Sequence, residues 1–357
     1  MTTAALETPL DLPLLRKRID SCLDHYLTVK AYAARTENLP ALPLEVLRDF
    51  LFAGGKRIRP LMCVLGWYAA RGRGEADPVL RAAASLELFH AFALIHDDIM
   101  DRSDTRRGHP TVHRTLAERH QHRTHHIEFG EHAAILLGDL ALACSQEMLN
   151  GAGLSTAQLT VALPTLDAMR TAVLYGQYMD LDTAEQLTDD VERALAVVRY
   201  KTAKYTVQHP LHLGAALAGS GPAVRAALSA YALPLGEAFQ LRDDLLGVFG
   251  DPAVTGKSVL DDLREGKRTV LLALALRHAD ARQARTLRHL VGDPDLDEEQ
   301  AATLRTVLAG TGARARVETL IDSHLHTALR ALDCAPFPAD ARDALREVAH
   351  TLTERAL

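Results

Sequence analysis

The sequence predicts an all-α fold, and three observations carry that expectation. Apolar residues recur three and four apart over long stretches, with little of the strict alternation that marks strands. Aromatic residues are only 5% of a 357-residue chain that is 48% hydrophobic, so the core is built mainly from Leu, Ala and Val. Ala and Leu head the helix-propensity scale, while β-branched and aromatic residues lead in strands. The third observation is punctuation: clustered Gly- and Pro-containing breaks separate the periodic runs.

Taken in order, the pattern places helices at 82–100, 133–149, 166–182, 191–204, 233–249 and 269–278. The breaks are Gly54-Gly55, 71–74, Gly108-His109-Pro110, 219–222, 250–256 and 292–294. No interval is long and polar enough for an interdomain linker, and no repeat has a fixed period. The expected organisation is a frayed N-terminus over 1–13 and one helical domain over 14–357, a bundle in which 281–357 carries no assignable chemistry.

Composition excludes several functions. A net charge of −6 gives no broad basic field, which argues against nucleic acid as a partner. Cys22, Cys63, Cys144 and Cys334 are widely spaced without a CxxC pair, the pattern of reduced core thiols in a cytoplasmic protein and not of a disulfide frame or zinc site. The N-terminus lacks the charged start and apolar run of a signal peptide. The apolar stretch 133–149 is too short, and with Asp139, Ser145 and Glu147 too polar, to span a bilayer. A soluble protein without a transmembrane segment is expected. Seven of the seventeen histidines lie between His109 and His132; flanked by charges and without fixed ligand spacing, they read as a solvated interhelical loop.

The strongest chemical signal is His96-Asp97-Asp98-Ile99-Met100-Asp101, closing the apolar run 86–95. Residues four apart on a helix share a face, so Asp97 and Asp101 point the same way, with Asp98 to one side. Carboxylates so crowded need a compensating cation, and hard oxygen donors suit Mg²⁺, which typically takes one or two carboxylates plus waters and substrate phosphates. A second cluster, Gln240-Leu241-Arg242-Asp243-Asp244, follows another apolar helix about 145 residues later. If the two helices are neighbours in a bundle, the carboxylates face each other across a pocket mouth.

Cationic groups for a phosphorylated ligand are also present. Gly54-Gly55-Lys56-Arg57-Ile58-Arg59 sets Lys56 and Arg59 one helical step apart, and Thr105-Arg106-Arg107-Gly108 directly follows the first acidic cluster. Arg suits bidentate phosphate contacts and Lys point-charge ones. The chain has seven lysines against thirty-three arginines, and five of the seven are Lys56, Lys201, Lys204, Lys257 and Lys267, all in these motif segments.

In this order GGKRIRP, HDDIMDRSDTRRG, GQYMDL, KTAKYT, FQLRDDLLGVFGD and DLREGKRT resemble the trans-isoprenyl diphosphate synthases, the polyprenyl synthetase family, and within it the bacterial geranylgeranyl diphosphate synthases. The resemblance runs from roughly Val46 to Leu274. It implies an all-α bundle with a central substrate cavity, usually a homodimer, that joins isopentenyl diphosphate head-to-tail to an allylic diphosphate with Mg²⁺, three ions accompanying the bound diphosphate. Carried over by position, Asp97 and Asp101 bind Mg²⁺ with support from Asp98, and Asp243, in its pair with Asp244, binds a further ion. Lys56, Arg59, His90 and Arg107 hold the diphosphate of isopentenyl diphosphate. Arg106, Lys201, Lys257 and Lys267 grip the allylic diphosphate, and Thr202 and Gln240 flank the carbocation. Many family members have a third Asp in the second motif where this chain has Gly247; Asp251 or Asp262 is the candidate substitute.

By the same resemblance the growing tail runs down the helix before Asp97, at about 5.4 Å per turn. Bulky Phe92 and Phe89 beside small Ala93 point to a C20 product, with farnesyl (C15) or longer products as alternatives. Two rival readings are a class I terpene cyclase, for which Lys56, Arg59 and Arg107 have no task, and a catalytically silent synthase subunit, which intact Asp97, Asp98 and Asp101 argue against.

Overall fold

A computed structural model describes residues 10–74, 76–183, 187–250 and 260–354. It is a helical assembly whose only strands among those residues are a two-residue antiparallel pair, β1 (Thr105–Arg106) and β2 (His109–Pro110). The described helices are α1 (Leu12–Thr36), α2 (Leu42–Phe52), α3 (Ile58–Ala69), α4 (Asp77–Met100), α5 (Val112–Arg119), α6 (His126–Asn150), α7 (Thr156–Thr183) and α8 (Val191–Val197). A π-helix (Val198–Gln208) leads into α9 (His209–Leu217). Then follow α10 (Pro222–Phe249), α11 (Asp261–Arg264), α12 (Val270–His278), α13 (Ala281–Leu290), α14 (Glu298–Gly310), α15 (Ala313–Cys334) and α16 (Ala339–Thr353).

Every helix expected from periodicity is present, most of them longer than the apolar run that announced it. The differences have local causes. Ordered helix starts at Leu12, inside the stretch expected to fray, because Asp11 accepts from the Leu14 amide as N-cap and Leu12 is itself buried. The His-rich segment is a loop only in part: His126 and His132 lie on α6. Val112–Arg119 is helical because Val112, Leu116 and Ala117 form an apolar stripe buried against α6. Cys63 and Cys144 are buried, Cys22 is partly so, and Cys334 is exposed, against the expectation of core thiols throughout.

Two apolar clusters make the core. One gathers α1, α3, α4, α6, α7 and α9; the other gathers α12, α13, α14 and the first half of α15. α10 passes between them, giving Leu228 to Leu235 to the first and Ala238 to Val248 to the second. α4 is long and apolar enough by composition to cross a membrane, but 67% of its apolar window is buried inside the protein. Burial on most of its surface makes it the central post of the fold.

Candidate active site

α4 ends at Met100 with Asp101 as its C-cap, so Asp97 and Asp101 crowd the end of a helix whose last carbonyls already carry partial negative charge. Cations from two other elements answer that charge. The Lys201 ammonium lies 3.0 Å from Asp97 and 2.6 Å from Asp180 of α7. Arg106 lies 2.6 Å from Asp98 and 3.4 Å from Asp97. Asp98 is fully buried and does not line the cavity; it anchors Arg106. Arg106 is aimed by the β1–β2 turn, whose central residues Arg107 and Gly108 both have positive φ, 55° and 77°, as a tight hairpin requires.

Lys201 and Thr202 sit on the π-helix, clamped from both sides by glycines. A Cβ on Gly176 of α7 would meet the Lys201 backbone nitrogen at 2.3 Å, and one on Gly236 of α10 would meet the Ala203 Cα at 2.5 Å. The missing side chains let both helices press against the π-helix and fix Lys201 and Thr202. From Thr202 a hydrogen-bond chain crosses to α10: its hydroxyl donates to Gln240 Oε1 at 2.7 Å, and Gln240 Nε2 donates to Asp244 at 2.8 Å. Lys267 reaches Asp244 from the far side at 3.3 Å. The second acidic cluster lies inside α10 and not at its end, which is Phe249. At Gly247 an added Cβ would fall 1.8 Å from an Asp262 carboxylate oxygen. Asp262, on α11, thus occupies the space where a side chain at 247 would stand.

A second cationic group stands around the start of α3. The turn Gly54–Arg57 is held by Arg57, whose left-handed backbone (φ 52°) begins α3 and whose guanidinium donates to Asp20, Glu87 and the Leu51 carbonyl. That turn presents Lys56, and the first turn of α3 presents Arg59. Arg59 stacks 4.2 Å over the Tyr205 ring and donates to Thr206, while Tyr205 and His90 share a 3.1 Å hydrogen bond. Arg107 joins them through the Gly54 carbonyl at 2.6 Å. Burial first, then Arg59 and Arg107, push His90 well below its usual pKa, so it stands neutral among these cations.

All of this converges on one cavity of about 620 Å³, lined by Asp97, Asp101, Asp243, Asp244, Gln240, Lys201, Thr202 and Lys267 at one end and by Lys56, Arg59, His90 and Arg107 beside them, with Arg106 between. Its carboxylates are short of positive charge. Burial, followed by the like charge of Asp97, raises Asp101 to about 7. Burial raises Asp244 to about 6 despite Lys267. Asp97 goes the other way, because Lys201 and Arg106 together outweigh its burial. Among the described residues no three His, Cys, Asp or Glu groups form a metal cage by themselves. Carboxylates one or two at a time, starved of cation, fit Mg²⁺ that completes its shell with ligand oxygens and water.

Below the charged mouth the cavity is lined by Phe92 and Ala93 of α4 and by Val173, Leu174 and Gln177 of α7. Phe89 does not line it, contrary to its expected part in the floor. It is 2% exposed and packs behind Phe92, ring centroids 5.4 Å apart. Lys204 also stays out, its ammonium 3.9 Å over the Tyr200 ring. Lys257 and Asp251 lie outside the described residues. Four participants went unassigned from sequence. Asp180 was visible in GQYMDL but had no partner there, and Glu87, Arg57 and Tyr205 read as ordinary core or basic positions.

Comparison with known proteins agrees with this geometry. Residues 41–308 match the family model described as polyprenyl synthetase. The geranylfarnesyl diphosphate synthase of Aeropyrum pernix is 33% identical over 340 residues, 93% of this chain and 99% of that one. The geranylgeranyl diphosphate synthase of Saccharolobus solfataricus is 34% identical over 72% of this chain and 73% of its own length. Among solved structures, the geranylgeranyl pyrophosphate synthase of Corynebacterium glutamicum, complexed with isoprenyl diphosphate and magnesium, superposes with a TM-score of 0.94 at 42% identity, covering 97% of this chain and all of that one. The chain therefore belongs to the polyprenyl synthetase family and is an enzyme of the prenyl diphosphate synthase class.

Proposed function

We propose that this protein catalyses the Mg²⁺-dependent head-to-tail condensation of isopentenyl diphosphate with an allylic diphosphate, chiefly to the C20 product, working as a single domain in a cytoplasmic homodimer. The observation that carries the reading is the convergence of two acidic clusters and two distinct cationic groups on one cavity with an apolar extension. One cationic group, Lys56, Arg59, His90 and Arg107, would hold isopentenyl diphosphate; Arg106, Lys201 and Lys267, with Lys257, would hold the allylic diphosphate.

Asp97, Asp101 and Asp243 would hold the metal, three ions in all, and Asp262 would take the place of the carboxylate that Gly247 lacks. Bound Mg²⁺ supplies positive charge to the departing diphosphate. The protein's own contribution is an exchange of partners. In the free enzyme Lys201, Arg106 and Lys267 are tied to Asp97, Asp98 and Asp244. With metal held at Asp97 and at the Asp243–Asp244 pair, Lys201 and Lys267 would be freed towards the diphosphate oxygens, where they would stabilise the developing charge, while Arg106 stays anchored on buried Asp98. The Thr202 and Gln240 oxygens face the C1 carbon as it becomes cationic. The apolar wall of Phe92, Ala93 and Val173 keeps water from the allylic cation until the isopentenyl double bond attacks it. The proton lost in forming the new double bond passes to the released diphosphate.

Phe92 closing the tail end beside small Ala93 supports C20. Leu136, Leu174, Tyr175 and Tyr178, between 53% and 70% exposed on α6 and α7, support a self-association face. Incubation with labelled isopentenyl diphosphate, Mg²⁺ and a C15 primer, followed by dephosphorylation and sizing, is expected to give mainly C20 alcohol. A cyclised hydrocarbon, or no incorporation of label, would reject the proposal.

A further inference from the structure

Behind Phe92, outside the cavity lining, stand a second aromatic ring and a charged side chain, Phe89 and Arg170. On α7 the residues facing the cavity descend from Asp180 through Gln177 to Leu174 and Val173, and the next position on that stripe is Arg170. At 1.5 Å of rise per residue, Arg170 lies about 15 Å below Asp180, and Phe89 lies about 12 Å below Asp97 on α4. The two meet: the Arg170 guanidinium carbon is 6.0 Å from the Phe89 ring centroid. Arg170 is held by Gln146 at 2.5 Å and Asp167 at 3.6 Å, and Gln146 is itself anchored on Asn150 at 2.8 Å. Its Nε is buried without a hydrogen-bond partner. A partly buried arginine there, with one nitrogen unpaired, costs some desolvation to keep.

We propose that Arg170 is a second, electrostatic stop on product length, acting when the aromatic floor is opened. The inference rests on the chain-length reading of Phe92 given above. Phe92 ends the cavity; Phe89, about one turn deeper, stands behind it; Arg170 backs Phe89. A prenyl tail that passed both rings would have to lie against a guanidinium already short of one acceptor, displacing the water that still reaches its outer nitrogens. Bulk alone would block an arginine-sized space equally well if filled by methionine. Charge would not.

The test is product sizing in a series of variants of the full-length enzyme, with thermal melts to establish that each is folded. Phe92→Ala is expected to move the main product up by one isoprene unit. Phe92→Ala with Phe89→Leu, which keeps more packing than alanine, is expected to add at most one further unit. Adding Arg170→Met to that pair should release the stop, raising the share of products longer than C30 by ~tenfold, because an apolar chain no longer has to strip water from a cation. Arg170→Lys in the same background should retain the stop. Arg170→Met alone should leave the main product at C20, since Phe92 still ends the cavity.

The proposal is overturned if the doubly opened enzyme with Arg170 intact already makes the long products. It is also overturned if Arg170→Met and Arg170→Lys give the same distribution. If Phe92→Ala leaves the product unchanged, the floor itself has been misplaced, and the Arg170 proposal goes with it.

Discussion

Asp101→Asn separates what the acidic mouth does for the fold from what it does for the ligand. In the free enzyme the Asp101 carboxyl is raised from 3.8 to about 7 by burial and by Asp97. A folded-state value above the unfolded one means that folding takes up a proton. Stability contributed by this group is therefore present in acid and lost as pH rises through about 7. The full displacement corresponds to ~4 kcal/mol. Remaining solvent contact and the shared titration with Asp97 reduce the expected gain on substitution to about 1–2 kcal/mol at about pH 8. The metal-free Asn variant should thus melt about 2–4 °C higher than the parent at that pH, by less near pH 5, and no higher below about pH 4. The same change should weaken Mg²⁺ binding in the presence of an unreactive allylic diphosphate analogue by at least ~tenfold. In the parent, proton competition at Asp101 should weaken Mg²⁺ binding about tenfold between about pH 8 and pH 6. Calorimetric titration and thermal melts across pH measure both arms. A variant that is destabilised at pH 8, or that binds Mg²⁺ as the parent does, would refute the charge-deficit argument.

Changes at three further places probe the supports of the site. Gly236→Val drives a side chain into Ala203, so overpacking should cost about 1–3 kcal/mol and kcat should fall ~tenfold or more as Lys201 and Thr202 shift; unchanged kinetics would show the clamp is irrelevant. Glu87→Ala leaves Arg57 buried with only Asp20 as an acidic partner, costing about 2–4 kcal/mol in a melt. Steady-state kinetics should show a higher KM for isopentenyl diphosphate and an unchanged one for the allylic substrate. Asp262→Asn should weaken Mg²⁺ binding by ~10-fold or more, while Gly247→Asp alone should lower activity through collision with Asp262, and Asp262→Ala should partly restore it. Full activity in Gly247→Asp would remove Asp262 from the metal account.

Much of the site was legible because its chemistry is local in sequence. Carboxylates one turn apart at the end of an apolar helix announce their own need for a cation, and the lysines stand out in an arginine-rich chain. What was not legible depends on three dimensions. α4 is buried on nearly every side, so periodicity cannot tell that Phe92 faces the cavity while Phe89 faces the core. The π-helix leaves no mark in the 191–204 pattern because one extra residue per turn changes no composition. It nevertheless turns Lys201 inward and Lys204 onto Tyr200. Asp180 carries no sign of being the second anchor for Lys201. The short helix α5 was masked by its charged residues Arg114, Glu118 and Arg119 and by the histidines that follow it, although Val112 and Leu116 bury it.

The central claim is that Asp97 and Asp101 on α4 and Asp243 on α10 chelate divalent ions together around one diphosphate. Crystals grown with Mn²⁺ and an unreactive allylic thiodiphosphate, with data collected at the manganese edge, test it directly. The account predicts anomalous peaks within coordination distance of carboxylates from both helices, bridged by diphosphate oxygens, with Lys201 withdrawn from Asp97 towards the ligand. Metal bound on one helix only, or a diphosphate held with Lys201 and Lys267 still on their carboxylates, would contradict it.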